Sequence, residues 1–241
     1  MPTRFGVFCE LPCPESVEII GHAGWDFVII DCEHGAISSA MLPGMLRAAD
    51  AVKLSAIVRV ASNDAAQIQL ALDAGAAGVQ IPQIGNVAAA RAAISASKFY
   101  PQGMRGLNPF VRAGKFSAEP VTEFLERSNK QTSVVLQLES REGFEAAVDI
   151  AALEGLGGIF IGPYDLSQSF GIPGQTSDAR VLNAGAEIIR IATAAGVPVS
   201  VYAGTPQAAR QWLAMGAQAI CYGVDTVFLM NSMRDALRDL R

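Results

Sequence analysis

Two carboxylates set the chemistry this chain could carry. Val134-Val-Leu-Gln-Leu-Glu139 and Gly158-Ile-Phe-Ile-Gly-Pro-Tyr-Asp165 are short apolar runs, each leading to one acid, and the acids stand 26 positions apart. That interval fits one β-α-β crossover. Neighbouring parallel strands lie about 4.8 Å apart, so carboxylates leaving the same end of both could share one small hard cation. Glu139 and Asp165 offer only oxygen, with no cysteine or second histidine placed to join them. Such a donor set suits Mg2+ or Mn2+ with positions left open for water or substrate. The alternative is that each acid caps the helix after it, since Glu139-Ser-Arg and Asp165-Leu-Ser both precede helix-like segments. Side by side on adjacent strands, the pair reads as a metal site.

Two further polar groups end up near strand termini. His34 follows Asp31 by three residues in Asp31-Cys-Glu-His34. A carboxylate bonded to an imidazole fixes its tautomer and raises its basicity, which suits a general base near neutral pH; the alternative is an ordinary loop histidine. Arg59, in Ile57-Val-Arg-Val60, is a permanent charge inside an apolar run and must meet a carboxylate. Asp31 or Glu33 could supply it internally, or an anionic substrate or developing oxyanion could. His22 sits within a helical segment before Gly24 and reads as structural. The lysines, Lys53, Lys98, Lys115 and Lys130, end no strand. A Schiff base is therefore not expected, and carbon-acid chemistry here would run on a metal.

The elements that must position these residues follow a repeated grammar. Helix-like segments end near glycine and lead into apolar strands at His22-Ala-Gly24, Asp73-Ala-Gly75, Leu156-Gly157, Ala195-Gly196 and Met215-Gly216. Each glycine is expected at a helix C-cap with φ > 0. Strands are expected at Gly6 to Cys9, Phe27 to Asp31, Ser55 to Val60, Gly78 to Pro82, Val134 to Glu139, Gly158 to Gly162, Val197 to Tyr202 and Ala219 to Gly223. They are nearly continuous in apolar residues, as strands covered on both faces should be. Ser62-Asn63-Asp64, Asn86, Ser177-Asp178 and Thr205-Pro206 start helices, and Thr226 to Leu240 is the last one. Eight such units read as an α/β chain, a (β/α)8 TIM barrel in one domain over residues 1–241. A doubly wound sheet is disfavoured, because Leu11-Pro-Cys-Pro14 stands where a Gly-rich dinucleotide loop would follow the first strand. The stretch from Tyr100 to Pro120 is long for a connection, and its length suggests a lid or site wall.

Composition narrows the classes further. With 51% hydrophobic and 17% charged residues, the chain can bury a large core. A net charge of −5 with scattered basic residues argues against nucleic acid. Apolar runs are broken well short of about 18 residues, so no membrane span is expected. The N-terminus lacks a signal-peptide core, which points to the cytoplasm. Cys9, Cys13, Cys32 and Cys221 have no paired spacing and read as reduced, buried residues.

Six blocks in order are similar to the HpcH/HpaI-type class II pyruvate aldolases. They are Trp25 to Gly35, Val58-Arg-Val60, Leu72-Asp-Ala-Gly75 with Ile81-Pro82, Tyr100 to Gly106, Gln137-Leu-Glu139, and Phe160 to Ser167. The resemblance implies a divalent ion (Mg2+, Mn2+ or Co2+) on Glu139 and Asp165, with Gln137 close by. It implies His34 paired with Asp31 as an acid/base dyad acting through water, and Arg59 on the keto oxygen of pyruvate. Gly162 and Pro163 would line the pyruvate pocket, and Asp73 would reach a neighbouring subunit's site. Family members exchange the C-terminal helix between partners and form hexamers, so a homo-oligomer is expected. The implied reaction joins pyruvate to an aldehyde, or cleaves a 4-hydroxy-2-oxo acid. A malyl- or citryl-CoA lyase relative, an oxaloacetate decarboxylase and a non-catalytic barrel are the alternatives. Residues 110–130 match none of the family's motifs and, with His34-Gly35-Ala36, leave the aldehyde open.

Overall fold

The computed structural model describes residues 2–241. Eight strands, β1 (Arg4–Cys9), β2 (Phe27–Asp31), β3 (Ser55–Arg59), β4 (Gly78–Ile81), β5 (Ser133–Leu138), β6 (Gly158–Ile161), β7 (Val199–Ala203) and β8 (Ala219–Val224), alternate with helices. They pair in parallel in chain order, and β1 returns to β8 to close the barrel. The expected fold is present, with strand limits displaced by no more than two residues. Proline accounts for two of the displacements: Pro82 and Pro198 have no N–H for the ladder, so β4 stops at Ile81 and β7 starts at Val199.

Alternation along the strands separates two apolar layers. One face packs Val28, Ile30, Val58, Val79, Leu136, Leu138, Ile159, Ile161 and Val201 against the surrounding helices. The other turns into the barrel, where Phe8, Phe27, Ile29, Phe160 and Cys221 form a separate cluster. Phe27 lies against Gly6 so closely that a Cβ there would sit 2.2 Å from its ring. Continuing the inward face toward the strands' C-terminal ends brings Asp31 and Arg59, which are register partners, and then Gln80, partner of Arg59. Gln137, partner of Phe160, completes this layer. Polar residues thus occupy the last inward positions of β2 to β5, above an interior layer that includes Phe27, Ile29, Ile57 and Val135.

The helix starts follow their side-chain caps. Asp64, Asn86, Asp178 and Thr205 each accept an N–H from the first turn of the helix that follows. Gly24, Gly75, Gly196 and Gly216 have φ between 74° and 103°. The fifth joint differs from expectation: φ > 0 falls on Gly155, not Gly157. Gly157 instead lies so close to β5 that a Cβ would come within 2.7 Å of the Val134 nitrogen.

The Tyr100 to Pro120 segment is not a wall of the barrel mouth. Arg105 bonds Asp73 at 2.6 Å, and Arg112 bonds the Ala74 carbonyl at 3.1 Å and also Asp50. The segment lies against Gly75 to Ala77, which precede β4, around a cavity of about 560 Å³ at the N-terminal end of the barrel. The last helix spans Asp225–Asp239 and leaves Val227, Leu229, Met230, Met233 and Leu237 exposed. Among the described residues no helix is long and apolar enough to cross a membrane, and all four cysteines are free thiols.

Candidate active site

Asp31 is completely buried and Arg59 nearly so, and they form a two-pronged ion pair: Nε to Oδ1 at 2.9 Å and Nη2 to Oδ2 at 2.6 Å. Arg59 Nη1 is also 3.1 Å from Glu33 Oε2, and its guanidinium lies 4.5 Å from the centroid of the Phe8 ring. Burial disfavours the charge on Arg59, but Asp31 and Glu33 outweigh it and hold its pKa above the ordinary value. The internal partners left open by the sequence are therefore both present.

The expected Asp31–His34 pairing is not made through the imidazole in this structure. What reaches Asp31 from His34 is the main-chain N–H, at 3.3 Å, beside the N–H of Glu33 at 2.9 Å. The imidazole turns outward, with 64% of its side-chain surface exposed, and its Nε2 stands 4.0 Å from Glu33 Oε2. The reason is competition: a permanent, planar guanidinium at the adjacent register position takes both carboxylate oxygens of Asp31. Glu33 is the acid left facing the histidine. Its carboxyl is pushed up by burial, with Arg59 and His34 opposing that shift.

Glu139 stands just past the end of β5 and is 5% exposed. Its Oε1 accepts the Gln83 N–H at 2.7 Å, and its Oε2 accepts the Gln137 amide, whose oxygen in turn accepts from Gln80. Gln83 adopts φ 57° to make this contact. Burial pushes the Glu139 carboxyl up to about 7; the Gln137 and Gln83 donors oppose it, and the charges of Asp165 and Glu33 add to it. The acid is thus pinned, desolvated and short of positive charge, the condition a cation relieves.

Asp165 lies in the first turn of the helix Pro163–Ser169, which has no side-chain cap, and Ser140 rather than Glu139 caps the helix after β5. Neither acid makes a side-chain cap. Gly162 lets the β6 turn approach, since a Cβ there would lie 2.7 Å from Glu139 Oε2. Among the described residues no three or more His, Cys, Asp or Glu side chains converge as ligands. A divalent ion held by these two acids would keep open positions, as the oxygen-only donor set implies.

A cavity of about 200 Å³ at the barrel mouth brings together His34, Arg59, Gln137, Gly162, Pro163 and Asp165. Asp31 sits beneath Arg59, and Glu139 is held by Gln137. Asp73 is not part of this site: it ends the helix before β4, at the opposite end of the barrel, paired with Arg105. No lysine lines the cavity. Buried Lys98 instead donates to the carbonyls of Asn129 and Thr132 at 2.8 and 2.7 Å. Phe8, Glu10, Phe160, Tyr202 and Val224 also line the cavity and were not picked out by sequence reasoning. The signal was available for Glu10, which follows β1 as Glu139 follows β5.

Residues 4–232 match the family described as HpcH/HpaI aldolase/citrate lyase. A pyruvate aldolase of Rhizobium etli is 32% identical over 227 residues, covering 94% of this chain and 89% of that one. A 5-keto-4-deoxy-D-glucarate aldolase of Enterobacter sp. is 32% identical, covering 92% and 86%. The crystal structure of an HpcH/HpaI aldolase/citrate lyase family protein from Burkholderia cenocepacia superposes with a TM-score of 0.94 at 32% identity, covering 100% and 95%. On a match that spans nearly its whole length, the chain belongs to the HpcH/HpaI aldolase/citrate lyase family.

Proposed function

We propose that the protein is a class II aldolase that enolises pyruvate and joins it reversibly to an aldehyde, forming or cleaving a 4-hydroxy-2-oxo acid. One observation carries the reading: a buried glutamate with its carboxyl pushed up to about 7 stands within electrostatic reach of Asp165, beside a cavity that also holds Arg59 and His34. Glu139 and Asp165 would hold a divalent ion (Mg2+, Mn2+ or Co2+), which, when bound, supplies the Lewis acid that stabilises an enolate. The Gln80–Gln137 relay and the Gln83 N–H keep the Glu139 carboxylate aimed. Arg59, braced by Asp31, places fixed positive charge on the cavity wall where an oxyanion develops. His34 is the imidazole lining the cavity and the group placed to move a proton, directly or through one water, with Glu33 as the facing acid. Gly162 and Pro163 bring main chain, not side chain, to the substrate.

A homo-oligomer, a hexamer by family resemblance, fits the exposed apolar residues of the C-terminal helix, and Asp73 would serve a neighbouring subunit's site. Free thiols fit a cytoplasmic setting. The test is exchange of pyruvate methyl protons with heavy water, with and without chelator. Exchange is expected only with a divalent ion, and it should vanish in Glu139→Ala with Asp165→Ala. Absence of exchange with Mg2+, Mn2+ and Co2+ alike would remove the enolisation reading, and persistence in the double variant would remove the ligand assignment.

A further inference from the structure

The cavity at the barrel mouth has two chemically distinct sides. Gln137, Gly162, Pro163 and Asp165 leave β5 and β6, whereas Glu10 follows β1 and Val224 ends β8. In a closed ring of eight strands in chain order, β1 stands opposite β5, so Glu10 faces the Glu139–Asp165 pair across the mouth. Nothing in the enolisation of pyruvate uses Glu10.

Its position is nevertheless built. The carboxylate of Asp225 accepts the N–H groups of Glu10 and Leu11 at 3.0 and 3.2 Å. The loop carrying His34 presses on the same turn, where a Cβ on Gly35 would lie 3.2 Å from the Glu10 Cα. Among the described residues the Glu10 side chain meets only the Thr226 hydroxyl, at 3.5 Å, and no cation pairs with it. Burial, then Asp31 and Asp225, push its carboxyl up, against Arg59. Arg59 is the one permanent cation lining the cavity, and Asp31 and Glu33 already occupy it. The remaining wall on this side is Phe8, Tyr202 and Val224.

We infer that Glu10 is a specificity-determining residue: the side of the cavity remote from Glu139 and Asp165 receives an uncharged aldehyde, apolar or hydroxylated, and rejects one that carries a carboxylate. A second anion would meet Glu10 where, among the described residues, no permanent cation is free, and like charges in a partly desolvated cavity discriminate strongly. The inference rests on the pyruvate-enolising reading above.

The experiment uses the metal-loaded enzyme with pyruvate and two aldehydes of similar length, pentanal and succinic semialdehyde. Wild type should favour pentanal in kcat/KM by about tenfold or more. Glu10→Gln, nearly isosteric, should bring the two within about threefold of each other by raising the value for succinic semialdehyde. Equal or better use of succinic semialdehyde by wild type overturns the inference, and so does a ratio that Glu10→Gln leaves unmoved. If that variant does not fold, the wild-type ratio decides alone. Methyl-proton exchange without aldehyde separates the two levels: exchange with an unfavourable ratio sinks only the acceptor assignment, and its absence sinks both.

Discussion

Replacing Arg59 by methionine tests whether Asp31 serves the guanidinium and not the imidazole. Methionine keeps most of the unbranched stem, so lost packing is a small part of the effect. What remains is Asp31, 0% exposed, holding only the main-chain N–H groups of Glu33 and His34. Removing one member of a buried pair costs about 3–5 kcal/mol, because the surviving charge has no counterion. Asp31→Asn should cost less, since Arg59 still faces Glu33 at 3.1 Å. The double variant Asp31→Asn with Arg59→Met should be less destabilised than the sum of the singles by about 2 kcal/mol, the coupling of two groups that act as one. Urea unfolding of the four proteins in chelator measures all three quantities. A cost below about 1 kcal/mol for Arg59→Met, or additivity in the double variant, would refute the brace. An Arg59→Met protein that is stable yet fails to exchange pyruvate protons would instead assign the guanidinium wholly to substrate.

Two other outcomes follow from the same geometry. In the metal-free protein Glu139 ionises near 7 when folded, against 4.5 for the ordinary group, so its folded form binds more protons between these values. Its contribution to stability is complete below about pH 4.5 and is lost as pH rises through about 7, a fall of about 3 kcal/mol. Glu139→Gln should flatten that part of the profile in urea unfolding, and an unchanged slope would contradict the assignment. Gly162→Ala would place a Cβ 2.7 Å from Glu139 Oε2 and 3.1 Å from its Cβ. Displacing Glu139 by this much should lower metal-dependent proton exchange about 10–100-fold while the thermal midpoint moves only a few degrees; activity within about twofold of wild type would count against the contact.

What could be read in advance was what local chemistry decides. Asp64, Asn86, Asp178 and Thr205 announced their helices because a cap needs only the residues beside it. The apolar runs announced a barrel because a strand covered on both faces has no polar side to hide. Glu139 and Asp165 were legible as a pair because consecutive strands in a parallel sheet are neighbours. The partners of Arg59 were not, since Asp31 ends β2 and Glu33 lies in the loop beyond it, and only the register of Asp31 to Arg59 shows that the guanidinium reaches both. Nor could the sequence send Tyr100 to Pro120 to the far end of the barrel: Arg105 and Arg112 are drawn there by Asp73, Asp50 and a helix-end carbonyl, all distant in sequence. Glu10 went unseen because the acids one crossover away, Asp31 and Glu33, were read as partners of Arg59 and His34.

The aromatic plug inside the barrel has a kinetic consequence. Phe8 meets Phe160 edge to face at 5.8 Å, and with Phe27 and Ile29 they close the barrel beneath the polar layer. The site is therefore a cup with one opening, and whatever binds beside Glu139 or against Glu10 enters and leaves by the same mouth.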